Sequence, residues 1–395
     1  MEFPPFDLSG ADWLLPAAGA AASLVALGIF LLMIIPVARR RRACDAADAR
    51  AEVTGRLDGA SVIVYSADEY GSLESLLPQL LAQEYDAEFE VIVVNEGDSS
   101  QVRDVVEALQ ISHRNLYLTH TPEGARNLSR KKLAITLGVK AARYPVVVLT
   151  GASAVIDSRR WLASMMRHFS PDNHTELVIG YATAAPYEDT GWGKRTRSFD
   201  TVADATRWLS DAIHGHPWRG TGFNLAYTRE LFFRVKGFSS HLNLRDGDDD
   251  IFVSSIATAS NTAVELGIDS IVEVTGNNTR RIARERRRRR LFTSRFIRRR
   301  PRLLSALAWL CYPAGLILPL IAAALPPYNL ATWACAAAAL AVWYPVGLVW
   351  RMADTALCGR NLLLTLPFLA ASRPLRLAAS AITARFRHAK RYTWE

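Results

Sequence analysis

Residues 13–37 contain no charged side chain, twenty-five positions in succession. A helix of that length, rising about 1.5 Å per residue, crosses about 30 Å of hydrocarbon. The run therefore predicts a membrane span. Two more uncharged runs, 303–325 and 330–350, are joined by Pro326-Pro327-Tyr328-Asn329 and predict a helical hairpin. Trp309, Trp333, Tyr344 and Trp350 are candidates for anchors at the membrane–water interface. Residues 361–371 are too short to span and read, with the basic tail after Arg373, as an interfacial helix.

Between the first run and the hairpin the pattern changes. Ser61-Val62-Ile63-Val64-Tyr65 is short, apolar and β-branched, the form of a buried parallel strand. Leu73, Leu76, Leu77, Leu80 and Leu81 then recur at helical spacing. Residues 89–94 predict a second strand, and Val102, Val105, Val106 and Leu109 a second helix. Residues 116–119 predict a third strand, 133–142 a helix and 146–149 a fourth strand. This order implies an α/β, Rossmann-like domain with a largely parallel sheet and right-handed crossovers. Ligands of such sheets bind beyond the C-terminal ends of the strands. Asp68-Glu69 and Asn95-Glu96-Gly97-Asp98 follow the first two strands. Carboxylates there suit hydrogen bonds to a base and a ribose; Asp68 and Asp98 equally suit N-caps of the next helices.

Charge sharpens the division. The net charge is +9, yet residues 43–279 sum to −10, while 280–302 carry thirteen Arg against one Glu. The basic character lies in belts beside the apolar runs, which favours anionic lipid headgroups over nucleic acid as the partner. Glu2, Asp7 and Asp12 precede the first run and Arg39 to Arg42 follow it, the reverse of a signal peptide. Arginines on that side place the central domain in the cytoplasm. The four cysteines have no paired metal spacing, and none lies between 46 and 300, which argues against a disulfide framework.

The densest candidate chemistry is Gly247-Asp248-Asp249-Asp250. Adjacent ionised carboxylates repel, so the run costs stability unless a cation, a proton or a basic partner offsets it. It is either a chemical site or a solvated turn capping a helix that starts near Ile251.

In chain order these segments resemble the family-2 glycosyltransferases of GT-A fold, membrane-anchored bacterial type, over about 61–302. Ser61-Val62-Ile63-Val64 with Asp68-Glu69 resembles the opening strand and its loop. Val93-Val94-Asn95-Glu96 resembles the second strand, with Glu96 in place of the usual Asp. Ser129-Arg130-Lys131-Lys132-Leu133-Ala134 resembles the basic helix start. Asn224-Leu225-Ala226-Tyr227, Lys236-Gly237-Phe238 and His241 resemble the segment leading to the acidic motif Gly247-Asp248-Asp249-Asp250-Ile251-Phe252. The resemblance implies inverting sugar transfer with Asp249 as base and Asp248 positioning it or the acceptor. It also implies nucleotide-sugar binding by Asp68, Glu69, Glu96, Lys131 and Arg289.

One departure stands out. The family's fourth strand ends in Asp-x-Asp, whose carboxylates hold Mg²⁺ or Mn²⁺; this chain has Gly151-Ala152-Ser153 there. No metal ligand is expected at Gly151 or Ser153, since glycine has none and a neutral hydroxyl is weak for a hard cation. Asp248 and Asp250, or Asp157 with them, remain as metal candidates; otherwise arginines replace the metal, or the protein is a degenerate relative. The expectation is a membrane-bound glycosyltransferase moving a sugar from a nucleotide-sugar donor to a lipid-linked or glycan acceptor. The alternative is a catalytically degenerate pseudo-glycosyltransferase that binds or scaffolds in glycan assembly. The expected organisation is an anchor at 1–45, a GT-A domain at 46–302, a hairpin at 303–350 and a basic interfacial tail at 351–395. The expected location is the cell inner membrane, with the GT-A domain cytoplasmic.

Overall fold

The structure, a computed structural model, describes residues 14–50, 58–67, 70–122, 128–169, 174–184, 191–275, 280–297, 302–324, 330–359 and 362–385. Helix α1 is Leu14–Ala49, continuing the predicted span through the four arginines. The α/β alternation follows as β1 (Ala60–Ser66), α2 (Tyr70–Leu81), β2 (Phe89–Asn95), α3 (Ser100–Gln110), β3 (Leu116–His120), α4 (Arg130–Ala141) and β4 (Val146–Gly151). Shorter elements come next: β5 (Ala154–Val155), α5 (Trp161–Met166), β6 (Leu177–Ile179) and β7 (Ala182–Ala184). Then come α6 (Trp192–Ile213), β8 (Leu225–Thr228), α7 (Arg229–Arg234), α8 (Asp250–Ile256), β9 (Thr262–Val264) and β10 (Val272–Val274). The arginine-rich α9 (Arg280–Thr293) precedes α10 (Arg302–Ala324), α11 (Leu330–Ala341), α12 (Trp343–Ala356) and α13 (Leu366–Arg385).

The chain divides into two compact units. One comprises Arg39–Glu188, Trp208–Arg298 and Thr383–Glu395; the other comprises Met1–Ala38, Asp189–Arg207 and Arg299–Ile382.

The first unit is built on a seven-stranded sheet in the order β3-β2-β1-β4-β8-β6-β9. Its β-branched strands are covered on both faces, so they bury almost completely, as parallel strands do. β1 pairs in parallel with β2 and β4, so that Val62 faces Val91 on one side and Val148 on the other. β8 runs antiparallel to β4, which turns the chain back across the sheet. A second, three-stranded sheet has the order β5-β10-β7. Val62, Val64, Val91 and Val93 share a core with Leu73, Leu76, Leu77 and Leu80 of α2. On the other face α4 comes so close that a Cβ at Gly138 would lie 2.7 Å from the Ile63 side chain. The last turns of α1 belong to this unit. Arg167 bridges Asp48 at 2.7 Å and Glu265 at 2.5 Å, and the Arg40 Nε donates to the Val264 carbonyl at 2.7 Å.

In the second unit, Phe30, Phe199, Trp309 and Trp350 pack ring on ring, with centroids 5.2–5.8 Å apart. Arg373 lies over Trp309 at 4.4 Å and pairs with Asp204 at 2.7 Å. Trp309 and Trp350 are therefore interior residues, which corrects their reading as interfacial anchors; Trp333 and Tyr344 are exposed. Among the described residues, three helical runs are long and apolar enough to cross a membrane: Leu14–Ala49, Ser305–Ala324 and Trp333–Ala356. The third run differs from expectation, with a turn at Val342 between α11 and α12. Pro345 has no N–H for the Ala341 carbonyl, and its ring crowds the preceding turn. The expected interfacial helix also starts later and runs longer, as α13.

Candidate active site

The site lies where β1, β2 and β4 end. Beyond β2 the Asn95 side chain shapes the turn, its Nδ2 donating to the Ser99 carbonyl at 2.9 Å and its Oδ1 accepting from the Ser99 N–H at 3.3 Å. That turn presents Glu96, whose carboxylate accepts the Tyr65 hydroxyl hydrogen. Asp98 turns away to pair with Arg103 at 2.6 Å and does not cap α3, whose N-cap is Ser99; this corrects its reading as a helix cap. Asp68 and Glu69 lie outside the described residues.

Basic residues enter from the start of α4. The Lys131 ammonium sits 2.5 Å from the Asp248 carboxylate and 5.8 Å from the centre of the Tyr65 ring. Glu96, Tyr65, Lys131 and Asp248 thus form a continuous line of contacts. Lys132, buried, donates to the carbonyls of His241, Leu244 and Asp246 at 2.7, 3.0 and 2.9 Å. Ser129 adds a hydroxyl donation to the Arg245 carbonyl at 2.9 Å. Together they fix the loop that leads into the acidic run.

The three carboxylates sit on a turn that only glycine accommodates easily. Gly247 has φ +107°, and a Cβ there would fall 2.5 Å from Ile251 Cδ1. Asp249 then caps α8, its Oδ1 accepting the Asp250 N–H at 2.8 Å. Among the described residues its Oδ2 has no hydrogen-bond or ion-pair partner. Asp250 accepts from the Ile251 N–H at 2.8 Å and from the Thr293 hydroxyl of α9. The capping reading of this run is therefore realised, with Asp249 Oδ2 left over from it among the described residues.

The cluster separates its protons. Burial alone would raise the Asp248 carboxyl, but the Lys131 ammonium outweighs it and holds Asp248 below the usual carboxylate range. Asp249 is pushed up to about 6 by burial and by the charges of Asp248 and Asp250, against the pull of Lys131 and Arg219. Burial also raises Asp250, with Thr293 and Arg219 opposing it. Burial lowers Lys132 to about 8 despite the nearby carboxylates. The result is a fixed anion beside a carboxylate able to take a proton near neutral pH.

The residues do not fit a divalent cation. Gly151 ends β4, and a Cβ there would lie 2.7 Å from Phe223 Cε1 and 3.1 Å from Cδ1. Ala152 is fully buried and Ser153 nearly so. Among the described residues no group of three or more His, Cys, Asp or Glu side chains is arranged to hold a metal ion. Asp248 is paired with Lys131, Asp250 is committed to Thr293 and Ile251, and Asp157 is exposed. A dication about 5 Å from the ammonium would be repelled by roughly 7 kcal/mol at an effective dielectric near 20, before any offset from the carboxylates.

Arg289 lies beside the same turn, 3.2 Å from Asp246 and 3.9 Å from Glu285. Arg219 stands over the Trp208 ring at 5.9 Å, and its charge favours ionisation of Asp249 and Asp250. The structure thus brings Glu96, Lys131, Asp248, Asp249, Asp250 and Arg289 to one end of the sheet. Sequence reasoning passed over Tyr65, Lys132 and Thr293. The Lys-Lys doublet was a signal for Lys132; nothing local marked the other two.

Residues 61–246 match the model of the family described as Glycosyl transferase family 2. Among solved structures, the chain is similar to the mannosyltransferase PcManGT from Pyrobaculum calidifontis in complex with GDP-Man and Mn²⁺. Identity there is 20% over 94% of this chain and 97% of that one, with a TM-score of 0.50. It is also similar to S. aureus TarS 1-349, at 13% identity over 82% and 90% of the chains, with a TM-score of 0.40. Mannosyl-3-phosphoglycerate synthase from Rubrobacter xylanophilus follows at 14% identity over 74% and 80%, with a TM-score of 0.36. No curated protein matches the chain by sequence. At 20% identity the likeness to the mannosyltransferase is one of fold.

Proposed function

We propose, for a chain whose residues 61–246 are a glycosyl transferase family 2 domain of GT-A fold, that the protein transfers a sugar from a nucleotide-sugar donor with inversion. The single observation that carries this reading is the Asp249 carboxyl at the start of α8, with one free oxygen and a proton affinity raised to about 6. At neutral pH most of it is ionised, yet it remains a competent proton acceptor.

The acceptor hydroxyl gives its proton to Asp249 Oδ2 as its oxygen attacks the anomeric carbon. The bond from that carbon to the diphosphate oxygen breaks, and the nucleoside diphosphate leaves. Asp248, kept anionic by Lys131, holds its place and the acceptor. Glu96, with Asp68 and Glu69, binds the donor nucleoside, and Lys131 and Arg289 face the diphosphate. Asp248 and Asp250 were the metal candidates, and their partners leave no reason to route a step through a cation.

The acceptor is lipid-linked or a glycan, presented at a membrane. The organisation proposed is an anchor at 1–45, a cytoplasmic GT-A domain at 46–302, a hairpin at 303–350 and a basic tail at 351–395, in the cell inner membrane. The three apolar helices and the arginines of α9 support it, the latter by attraction to anionic headgroups. Asp249→Asn tests the assignment: with a nucleotide-sugar panel and membrane-extract acceptors, unimpaired transfer by the variant refutes it.

A second reading is favoured by one observation, the Phe223 ring over Gly151. On that reading the domain binds without turnover and serves as a scaffold in glycan assembly. Sustained turnover by the purified protein excludes it.

A further inference from the structure

The end of β4 is closed by a matched pair. Phe223 packs against the core of the sheet, and its ring edge takes the volume that any side chain at position 151 would enter. The strand's continuation is equally committed. The Ala152 N–H donates to the Tyr65 carbonyl at 2.9 Å, and the Ser153 carbonyl accepts from the Thr275 N–H at 2.9 Å and from its hydroxyl at 3.1 Å. This wall offers a diphosphate an aromatic edge and no carboxylate.

The opposite side of the site is cationic. Lys131 lies at 2.5 Å from Asp248 with about a third of its side chain exposed. Gly222 keeps the loop clear of that pair, for a Cβ there would stand 3.0 Å from Asp248 Oδ2 and 3.4 Å from Lys131 Nζ. Arg219, three residues earlier, makes no hydrogen bond or ion pair within 4 Å among the described residues. Its guanidinium lies over the Trp208 ring at 5.9 Å, and its charge acts on Asp249 and Asp250. A planar fork of donors without a carboxylate partner among the described residues, lying 5.9 Å over an aromatic ring beside a donor site, suits bidentate contact with phosphate oxygens.

We propose that this site takes a nucleoside diphosphate without a divalent cation, Lys131 and Arg219 meeting the charge of the two phosphates and Phe223 sealing the place of a position-151 ligand. The inference rests on the transferase reading above and specifies how that site holds its donor. In the reaction, the diphosphate oxygen that accepts the bonding pair from the anomeric carbon gains its charge beside these two side chains, and no proton or metal has to accompany it.

The test is calorimetric titration of the full-length protein in detergent with UDP and with GDP, each in EDTA and in Mn²⁺. Expected are dissociation constants for the nucleotide that binds which agree within about twofold between the two conditions. Arg219→Gln should weaken that binding about tenfold in EDTA, with Mn²⁺ giving no rescue. Binding that requires Mn²⁺ overturns this inference and leaves the transferase reading standing. Absence of binding to UDP, GDP, ADP, CDP and TDP under both conditions overturns the two together. The wild-type comparison needs no variant, so a poorly folded Arg219→Gln protein does not shield the proposal.

Discussion

The Thr293 hydroxyl donates its hydrogen to the Asp250 carboxylate, tying the last residue of the arginine-rich α9 to the first residue of α8. Both residues are buried, so the carboxylate has no ready substitute for that donor. Thr293→Val keeps the shape and removes the hydrogen bond. Leaving a buried acceptor unsatisfied costs about 1–3 kcal/mol. The expected result is a lowered melting temperature for Thr293→Val, with Thr293→Ser close to wild type, read by scanning fluorimetry in detergent. Equal melting for all three would show that the contact contributes nothing.

The Lys131–Asp248 pair makes a sharper prediction, because only one partner is well buried. Removing the cation strands an anion beside two other carboxylates, whereas removing both charges does not. Lys131→Met should destabilise by about 1–3 kcal/mol, less than the loss of a fully buried pair because the ammonium is partly screened by water. The double variant Lys131→Met/Asp248→Asn should recover at least about 1 kcal/mol of that loss. Strictly additive effects in the double-mutant cycle would mean that the ammonium does not stabilise Asp248.

Several of these relationships could not be read along the chain. β1, β2 and β4 were legible as continuous β-branched runs and β3 as a short apolar run, all between helical repeats, and the structure extends them by one or two residues. β6, β7, β9 and β10 have three residues each and no periodicity to detect; β6 pairs with the reversed β8 and β9 with β6, while β7 and β10 pair in the second sheet. Asp248 to Asp250 announced themselves by mutual repulsion. Their partners did not, since Lys131, Thr293 and Arg219 reach the cluster from α4, α9 and the loop before β8. The missing carboxylate at Gly151 was visible as an absence, but Phe223 filling its space was visible only in three dimensions. Trp309 and Trp350 misled because an aromatic at the end of an apolar run serves a protein interior as readily as a membrane interface.

Asp249 links activity and stability with opposite signs. Its carboxyl stands at about 6 in the folded protein against an ordinary value of 3.8. The protonated form is therefore favoured by folding. The stabilisation is complete below about 4 and is lost as pH rises through about 6. At pH 7.5 the ionised group is a net burden, on the order of 3 kcal/mol. Asp249→Asn should remove that burden, raising the melting temperature at pH 7.5 while lowering transfer at least 100-fold. In the wild type, transfer should rise with pH through about 6 and level off above it. A variant that loses activity and melts lower at pH 7.5 would contradict the origin assigned to the shift.

The Gly151–Phe223 relationship predicts non-additivity of a definite sign. Gly151→Ala places a methyl group 2.7 Å from a ring carbon, so either the ring or the strand must move. β4 is paired along its length with β1, whereas Phe223 is only partly buried at the end of a loop, so the ring gives way first. Overpacking of this kind costs about 1–3 kcal/mol. Phe223→Leu vacates the ring edge and should itself destabilise modestly through lost contacts with the core. In the Phe223→Leu background the alanine at 151 should cost much less, giving a double variant more stable than the sum of the single effects. The same logic applies to Gly151→Asp, whose carboxylate can reach the site only after the ring is removed. Chemical denaturation of the four proteins checks this, and additive losses would place the Phe223 ring elsewhere in solution.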